Sequence, residues 1–422
     1  MLRSRPSPLL SAFLTLLNDR LGESIVFPLL PFLLVDLVDG RRLGLAVGLL
    51  GGAYALAQFI VTPLIGALSD SYGRKPVIVV CVAGSVLALS LFAITISLPW
   101  ARLWPAAAAA GVPLSLLFLA RLLDGVSGGT AATAGAVLAD VSPPEQRARA
   151  FGLIGVAFGL GFILGPALGG LLAERSVVLP VLVALAFALF NLLVVLALLP
   201  ETHPPQFRRR LPRRRELQPI TPLVRVFRDP QVRRLCLAFL LFFLAFSAFT
   251  AVLVVYFKQV FGWGPGLATA AFVVVGVVAT LVQGGLIGPL VRRFGEARLC
   301  LAGVGFVISG CLLIAVATPA RGVALVFPAV AVLALGSGLL TPCLRSLVSR
   351  RLEAQGQGVA LGSLQALQSL GSFLGPPLAG LAYVNLGPRS PFWIGITLLL
   401  AVAALIAGGR WCRSAPIPGN AG

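Results

Sequence analysis

Two stretches of this sequence decide the fold: Gly161-Phe-Ile-Leu-Gly-Pro-Ala-Leu-Gly-Gly170 and, 210 residues later, Gly371-Ser-Phe-Leu-Gly-Pro-Pro-Leu-Ala-Gly380. Glycine is common here, with 47 residues, so one match would mean little. Six matches in one register, including a Gly-Pro pair, indicate an internal repeat. The matched first-half positions are Gly128, Gly152, Gly161, Gly165, Pro166 and Gly170.

A second register supports the same repeat. Gly66-Ala-Leu68 pairs with Gly288-Pro-Leu290, and Gly73 pairs with Gly295, at an offset of 222 residues. The difference between the two offsets is explained if residues 98–111 are an insertion in the first half. The chain therefore consists of two related halves.

The composition requires lipid as the solvent of most of the chain. Of the 422 residues, 58% are hydrophobic and 11% are charged, whereas soluble domains carry about a quarter charged residues. Each half contains six apolar runs, each long enough to cross a hydrocarbon core of about 30 Å. They lie near residues 8–35, 44–68, 76–97, 112–139, 149–173, 177–199, 232–257, 266–291, 297–318, 323–348, 357–384 and 390–409.

These runs predict an all-α membrane protein with twelve transmembrane helices in two six-helix bundles. Because six is an even number, both bundles have the same orientation, and a parallel pseudo-two-fold axis along the membrane normal relates them. We expect three parts: residues 1–199, a basic linker at residues 200–231, and residues 232–422.

The net charge of +19 invites a nucleic-acid interpretation, but the placement of the basic residues argues against it. Most of the 33 Lys and Arg residues lie in alternate loops and in the linker, as the positive-inside rule requires. The sequence therefore predicts a bacterial inner-membrane protein with both termini cytoplasmic and no nucleic-acid partner.

No metal, cofactor or enzymatic site is expected. The six cysteines are scattered without metal-ligand spacing, and His203 is the one histidine of the sequence. The sequence lacks the Gly-rich ATP loop and the His-Glu-x-x-His zinc motif. A membrane enzyme is thus disfavoured.

The segment Gly66-Ala-Leu-Ser-Asp70-Ser-Tyr-Gly73-Arg74-Lys75-Pro76 resembles the loop between helices 2 and 3 of major facilitator transporters. The resemblance implies a charge cluster at the cytoplasmic edge that latches the two halves in the outward-facing state. Asp140 and Arg147 are expected to join it. The alternative is a loop that only sets topology.

Four charged residues in the apolar spans are the expected proton-coupling groups: Asp19, Glu23, Arg121 and Asp124. Asp19 and Glu23 share one helix face, and two ionised carboxylates so deep would repel each other, so one is expected to bind and release protons. Arg20 is expected to point about 100° away from that face. Arg121 lies in a stretch that resembles the proton-coupling motif of helix 4 in the same superfamily, three residues before Asp124. Structural ion pairs, including one between Glu23 and Arg121, are the alternative.

The fifth apolar run contains a glycine series that resembles the helix 5 motif of the exporters in this superfamily. The resemblance implies antiport rather than uptake, and the alternative is generic packing of small residues. The residues concerned are Gly155, Gly159, Gly165, Pro166 and Gly169.

Over much of its length the chain looks similar to the tetracycline/proton antiporters of the twelve-helix drug-efflux family. Asp19 matches the helix 1 aspartate of that family, but Ala279 and Val307 stand where it has a histidine in helix 8 and an aspartate in helix 9. These two departures argue against a tetracycline–metal complex as the substrate. The expected cavity groups are Tyr54, Gln58, Asn191, Gln283, Gln365 and Gln368.

The sequence thus predicts a secondary active transporter that exports small hydrophobic or cationic compounds in exchange for protons, by alternating access and as a monomer. Uptake of a small metabolite by the same fold, with or without proton coupling, is the alternative.

Overall fold

The computed structural model describes residues 8–142, 147–208, 230–351 and 357–408, and within those ranges every regular element is helical. Ten helical segments of these ranges are long and apolar enough to cross a membrane. Together with the first and eleventh helices they form twelve spans, so the predicted twelve-helix fold is confirmed.

The twelve spans are numbered in chain order. The first half contains α1 (Pro8–Val26, continued by Phe27–Leu29 and Leu30–Leu33), α2 (Leu43–Tyr72), α3 (Arg74–Ser97), α4 (Val112–Ser127 and Thr130–Val141), α5 (Arg147–Ala173) and α6 (Leu179–Leu198). The second half contains α7 (Pro230–Phe261), α8 (Pro265–Leu281, Val282–Leu286 and Ile287–Phe294), α9 (Glu296–Val316), α10 (Gly322–Arg351), α11 (Gln357–Leu386) and α12 (Ser390–Ala407). The predicted insertion at residues 98–111 forms two short helices, Trp100–Leu103 and Pro105–Ala109.

The repeat is visible in matching contacts of the two halves. In the first half, the Ser24 hydroxyl on α1 donates to the Gly161 carbonyl on α5, with 2.8 Å between the oxygens. In the second half, the Ser247 hydroxyl on α7 donates to the Gly371 carbonyl on α11 at 2.9 Å. A helix glycine without a side chain lets each serine reach the backbone of the partner helix. The register read from the sequence therefore corresponds to one packing unit that occurs twice.

Two reciprocal helix pairs join the halves: α2 packs on α11, and α5 packs on α8. Glycines make the first pair close. A Cβ on Gly48 would overlap the backbone carbonyl group of Pro376, and one on Gly52 would lie 2.7 Å from Cγ of Pro377. The two helices therefore approach along a face where no larger side chain fits.

The halves meet at one end of the molecule, here called the closed end, which contains the α1–α2 and α7–α8 connections. Gln259 at the end of α7 donates from Nε2 to the Gly40 carbonyl at 2.8 Å, and the Tyr383 hydroxyl of α11 donates to Oε1 of Gln259 at 2.8 Å. Toward the opposite end, a Cβ on Gly66 of α2 or Gly155 of α5 would meet nothing within 4 Å. That opposite end carries Arg74, and we call it the basic end.

Most of the predicted linker, residues 209–229, lies outside the described residues, as do both chain termini.

Candidate functional site

A cleft lies inside the first half, between α1, α2, α3, α4 and α6. Its volume is about 550 Å³, including space open to solvent. All four expected proton-coupling residues line it, together with two of the expected cavity groups, Tyr54 and Asn191, and with Arg20. The lining side chains used below are Asn18, Asp19, Arg20, Glu23, Tyr54, Ser85, Arg121, Asp124 and Asn191.

On α1, Arg20 lies between the two carboxylates instead of pointing away from them. Its Nη2 is 2.6 Å from Oδ2 of Asp19, and its Nη1 pairs with Oε2 of Glu23. The expectation for Arg20 was wrong because the helix fixes where a side chain starts, whereas the long, forked guanidinium group bridges neighbouring positions. The guanidinium carbon also lies 4.9 Å from the centre of the Phe158 ring.

On α4, Arg121 pairs with Asp124 within one turn, with 3.2 Å between Nη1 and Oδ2. The second carboxylate oxygen of Asp124 accepts a hydrogen bond from the Ser85 hydroxyl at 3.1 Å. The Arg121 guanidinium carbon lies 4.5 Å from the centre of the Tyr54 ring. The ion pair of Glu23 with Arg121 considered from the sequence is not formed; each arginine pairs on its own helix.

The charges of this cleft do not cancel. Three carboxylates face two arginines, so the fully ionised cluster carries one net negative charge. The arginines keep their charge at any accessible pH. Binding of one proton by a carboxylate, or of one cationic group, would neutralise the set, and a neutral set is more favourable inside a membrane.

Amide groups lie in the wall of the cleft, as Asn18 and Asn191 do, and directly behind it, as Gln58 does. Gln58 donates from Nε2 to the Tyr54 hydroxyl and to the Gly128 carbonyl, both at 3.3 Å. Asn191 donates to the Thr15 carbonyl at 3.2 Å, but its Oδ1 is buried without a hydrogen-bond partner, as is Nδ2 of Asn18. Buried polar atoms are nearly always satisfied, so these two are natural positions for a bound water or a substrate atom.

The other expected cavity groups lie elsewhere. Gln283, Gln365 and Gln368 belong to the second half and do not line this cleft. Gln283 and Gln365 are exposed, and Gln368 is half-buried beside Arg345. The aromatic residues of α7 pack mainly in the core: Phe239, Phe242 and Phe249 are at most 1% exposed.

At the basic end, Arg74 organises the residues expected to form a latch. Its Nη1 is 2.5 Å from Oδ1 of Asp70, and its Nε is 3.0 Å from Oδ2 of Asp140. Nη1 also donates to the Ser69 hydroxyl at 2.7 Å. These contacts all lie within the first half. The side chain of Arg147 is outside the described residues, although its backbone begins α5.

Glu201, which the sequence analysis did not single out, completes this cluster. Its carboxylate accepts backbone N–H bonds from Arg74 at 2.9 Å and from Lys75 at 3.3 Å, and so caps the first turn of α3. Gly73, with φ of 106°, turns the chain there, and a Cβ at Gly73 would collide with this carboxylate. The Lys75 ammonium donates to the Leu196 carbonyl at 2.9 Å, which also joins α3 to α6. No local pattern marks Glu201, because it follows α6 and acts across the fold.

Three of the four expected motif glycines of α5 divide between two partner helices, whereas a Cβ on Gly155 would meet nothing within 4 Å. A Cβ on Gly159 would lie 2.8 Å from the Thr280 hydroxyl of α8, in the other half. A Cβ on Gly165 would overlap the Ser24 hydroxyl, and one on Gly169 would lie 2.7 Å from the Ile25 carbonyl, both on α1. Pro166 is inside the helix between them. The series thus brings α1 of the first half and α8 of the second half close to the same helix.

Comparison with known proteins agrees with this architecture. The profile of the Major Facilitator Superfamily matches residues 12–374 and 329–422. The class C tetracycline resistance protein of Escherichia coli is 33% identical over 403 residues, which cover 95% of this chain and 96% of that protein. The class G tetracycline resistance protein of Vibrio anguillarum is 35% identical over 364 residues, or 85% of this chain and 86% of that protein.

Solved structures show the same fold. The crystal structure of the human organic anion transporter MFSD10 (TETRAN) covers 95% of this chain and 100% of its own, with a TM-score of 0.69 and 26% identity. A D-xylose-proton symporter covers 95% of this chain and 96% of its own, with a TM-score of 0.72 and 16% identity, which indicates the fold alone. The resemblance to tetracycline-efflux-type transporters is therefore confirmed, and this multi-pass membrane protein belongs to the Major Facilitator Superfamily.

Proposed function

We propose that this chain is a proton-coupled antiporter that exports small hydrophobic compounds, and that it is not an enzyme. The observation that carries the proposal is the first-half cluster of Asp19, Arg20, Glu23, Arg121 and Asp124, with its one uncompensated negative charge. Such a charge is costly in a membrane unless a proton or a cationic group accompanies it. The cluster is therefore suited to alternate between a protonated state and a state that holds substrate.

Export is favoured over uptake by the relatives at 28–35% identity that are named tetracycline resistance proteins, and by the glycine series of α5. Tetracycline itself is a candidate substrate. Ala279 and Val307 provide no charge, however, so the coupling of this chain would rest on the first half alone.

Alternating access would move residues 1–199 against residues 232–422, with the segment 200–231 as the connection. With the basic end in the cytoplasm of a bacterium, both termini are inside and the present arrangement faces inward. The Asp70–Arg74–Asp140 cluster then lies at the edge that must close in the outward-facing state, where it would hold the halves together. A monomer is sufficient for this mechanism.

The test is proton movement in everted membrane vesicles. After respiration has acidified their interior, addition of tetracycline, rhodamine 123 or fluorescein should release protons through the wild-type protein. Asp19→Asn and Glu23→Gln should abolish this release while the protein inserts normally, because each replaces a carboxyl group of the cluster with an amide that cannot bind and release a proton.

The matched control is Asp39→Asn, which makes the same chemical change at an exposed residue of the α1–α2 connection. The control should keep the wild-type response. A full response in both Asp19→Asn and Glu23→Gln would refute the coupling mechanism. If the protein exports the probe, cells that lack the protein should accumulate more of it. A lower accumulation in those cells would indicate uptake instead.

A further inference from the structure

A half-buried arginine of the second half, Arg345, has no carboxylate partner among the described residues. Arg345 of α10 lies three residues before the end of the candidate membrane span Pro319–Val348, on the side of the basic end. Its Nη2 donates to Oε1 of Gln368 on α11, its guanidinium carbon lies 5.9 Å from the centre of the Phe239 ring of α7, and its Nε is buried without a hydrogen-bond partner. The guanidinium group is thus held where three helices meet, with donor capacity left over.

The three most deeply buried arginine side chains of the described ion pairs behave differently. Arg20, Arg74 and Arg121, whose side chains are at most 11% exposed, each pair with a carboxylate on their own helix or a neighbouring one. Glu296 of α9 does not supply this partner to Arg345: its Oε1 accepts a hydrogen bond from Ser346, and no ion pair joins it to Arg345. In the described part of the chain, the charge of Arg345 is therefore uncompensated.

A guanidinium group that is half-buried between helices without a counter-charge is unfavourable, and it cannot relieve the cost by losing its proton. A planar guanidinium group with free N–H donors forms its best hydrogen bonds with two anionic oxygens of one group, such as those of a carboxylate. The adjacent wall of α7 is aromatic: the Phe239 and Phe243 rings lie 4.7 Å apart, and the Phe242 and Phe243 rings 5.1 Å apart. A cationic donor site beside aromatic side chains fits a ring compound that carries an acidic oxygen.

We propose that Arg345 and Gln368, which lie against the buried Phe239, form a substrate subsite in the second half that binds the anionic oxygen of an aromatic compound. The inference rests on the proposed transport function and narrows its substrate class. A phospholipid headgroup could supply the same anionic oxygen at this end of the span. We assign the subsite to substrate because Arg345 is turned toward Gln368 and the fully buried Phe239, inside the helix bundle.

Two dyes with one ring frame and opposite charge test the subsite. Fluorescein carries a carboxylate and rhodamine 123 is a cation, and the fluorescence anisotropy of each reports binding to the purified full-length protein in detergent. Fluorescein should bind, and Arg345→Gln should weaken its binding about tenfold or more, because a charge-assisted hydrogen bond is lost. Arg345→Lys keeps the positive charge but not the planar guanidinium group, so its affinity for fluorescein should fall less than that of Arg345→Gln. Binding of rhodamine 123 should change little in either variant.

Arg292→Gln at an exposed arginine of α8 is the matched control and should leave both dyes unaffected. Absence of fluorescein binding, an unchanged affinity in Arg345→Gln, or an equal loss for both dyes in a monodisperse variant would overturn the proposal. If added phosphatidylglycerol displaces fluorescein from the wild type and binds Arg345→Gln more weakly, the ligand is a headgroup and the substrate assignment falls. The transport proposal fails separately, through full activity of Asp19→Asn and Glu23→Gln.

Discussion

Glu201 shows how one side chain outside the spans stabilises a helix start inside them. Its carboxylate accepts the first two backbone N–H groups of α3, from Arg74 and Lys75, and also the N–H of His203. Glu201→Ala should leave those donors unsatisfied and lower the free energy of unfolding by about 1 kcal/mol, as the loss of a helix cap does. Thermal unfolding of the purified protein measures the change.

Glu174→Ala is the control for that substitution, since Glu174 is an exposed glutamate that follows α5. It should unfold at the wild-type temperature. Equal melting temperatures for Glu201→Ala and the wild type would mean that water replaces the carboxylate without loss.

For single residues of the site, the sequence predicts the position along the span but not the side-chain partners. The depth of Asp19, Glu23, Arg121 and Asp124 follows from the apolar runs around them. Their partners do not, because the end of a long side chain is free to reach over several positions, as Arg20 does. Contacts such as that of Glu201 with α3 join residues more than a hundred positions apart, and no local periodicity records them.

At the scale of elements, the glycine face of α2 controls how closely the halves approach. A Cβ on Gly48 would collide with backbone atoms of Pro376, which cannot rotate away as a side chain would. Gly48→Ala should therefore weaken the α2–α11 contact by about 1–3 kcal/mol, the usual cost of overpacking, and shift the population away from the closed arrangement about fivefold or more. The labelling rate of a cysteine introduced at the buried Ala379 of α11 measures this shift.

Gly66→Ala provides a matched substitution on the same helix, where an added Cβ meets nothing within 4 Å. It should leave the labelling rate of the closed end unchanged or slower. Faster labelling in Gly66→Ala than in Gly48→Ala would contradict the assigned role of the glycine face.

Element boundaries were largely predictable, whereas breaks within elements were not. The apolar runs predict all twelve spans, because burial in lipid requires about 20 apolar residues in sequence. The interruption of α4 at Gly128–Gly129 and the π-helical turn Val282–Leu286 of α8 are invisible to hydropathy, because hydropathy records how apolar a segment is and not whether its backbone hydrogen bonds stay regular. Likewise the α5 glycines predict close packing, but only the fold shows that Gly159 faces α8 while Gly165 and Gly169 face α1.

For the whole molecule, the internal repeat is the sequence feature that predicts the most about how the two halves are arranged. The matched registers place Gly73 and Gly295 at equivalent turns, and both adopt positive φ, 106° and 78°. A repeat also implies reciprocal contacts between halves, and α2–α11 and α8–α5 are such a pair. Which end is closed cannot follow from the sequence, because one sequence must support both arrangements of an alternating-access cycle.

The closed end therefore offers the most direct test of that cycle. Gln259 joins the halves there, since it donates to Gly40 of the first half and accepts from Tyr383 of the second. If the halves must separate at this end to release substrate, a short crosslinker that forms a disulfide with each thiol of Gly40→Cys and Gln259→Cys should abolish transport of the probe dyes, and a reductant that cleaves those disulfides should restore it. Each single variant treated with the same reagent should remain active. Undiminished transport in fully crosslinked protein would show that this contact does not open, and alternating access would then need a different pair of gating surfaces.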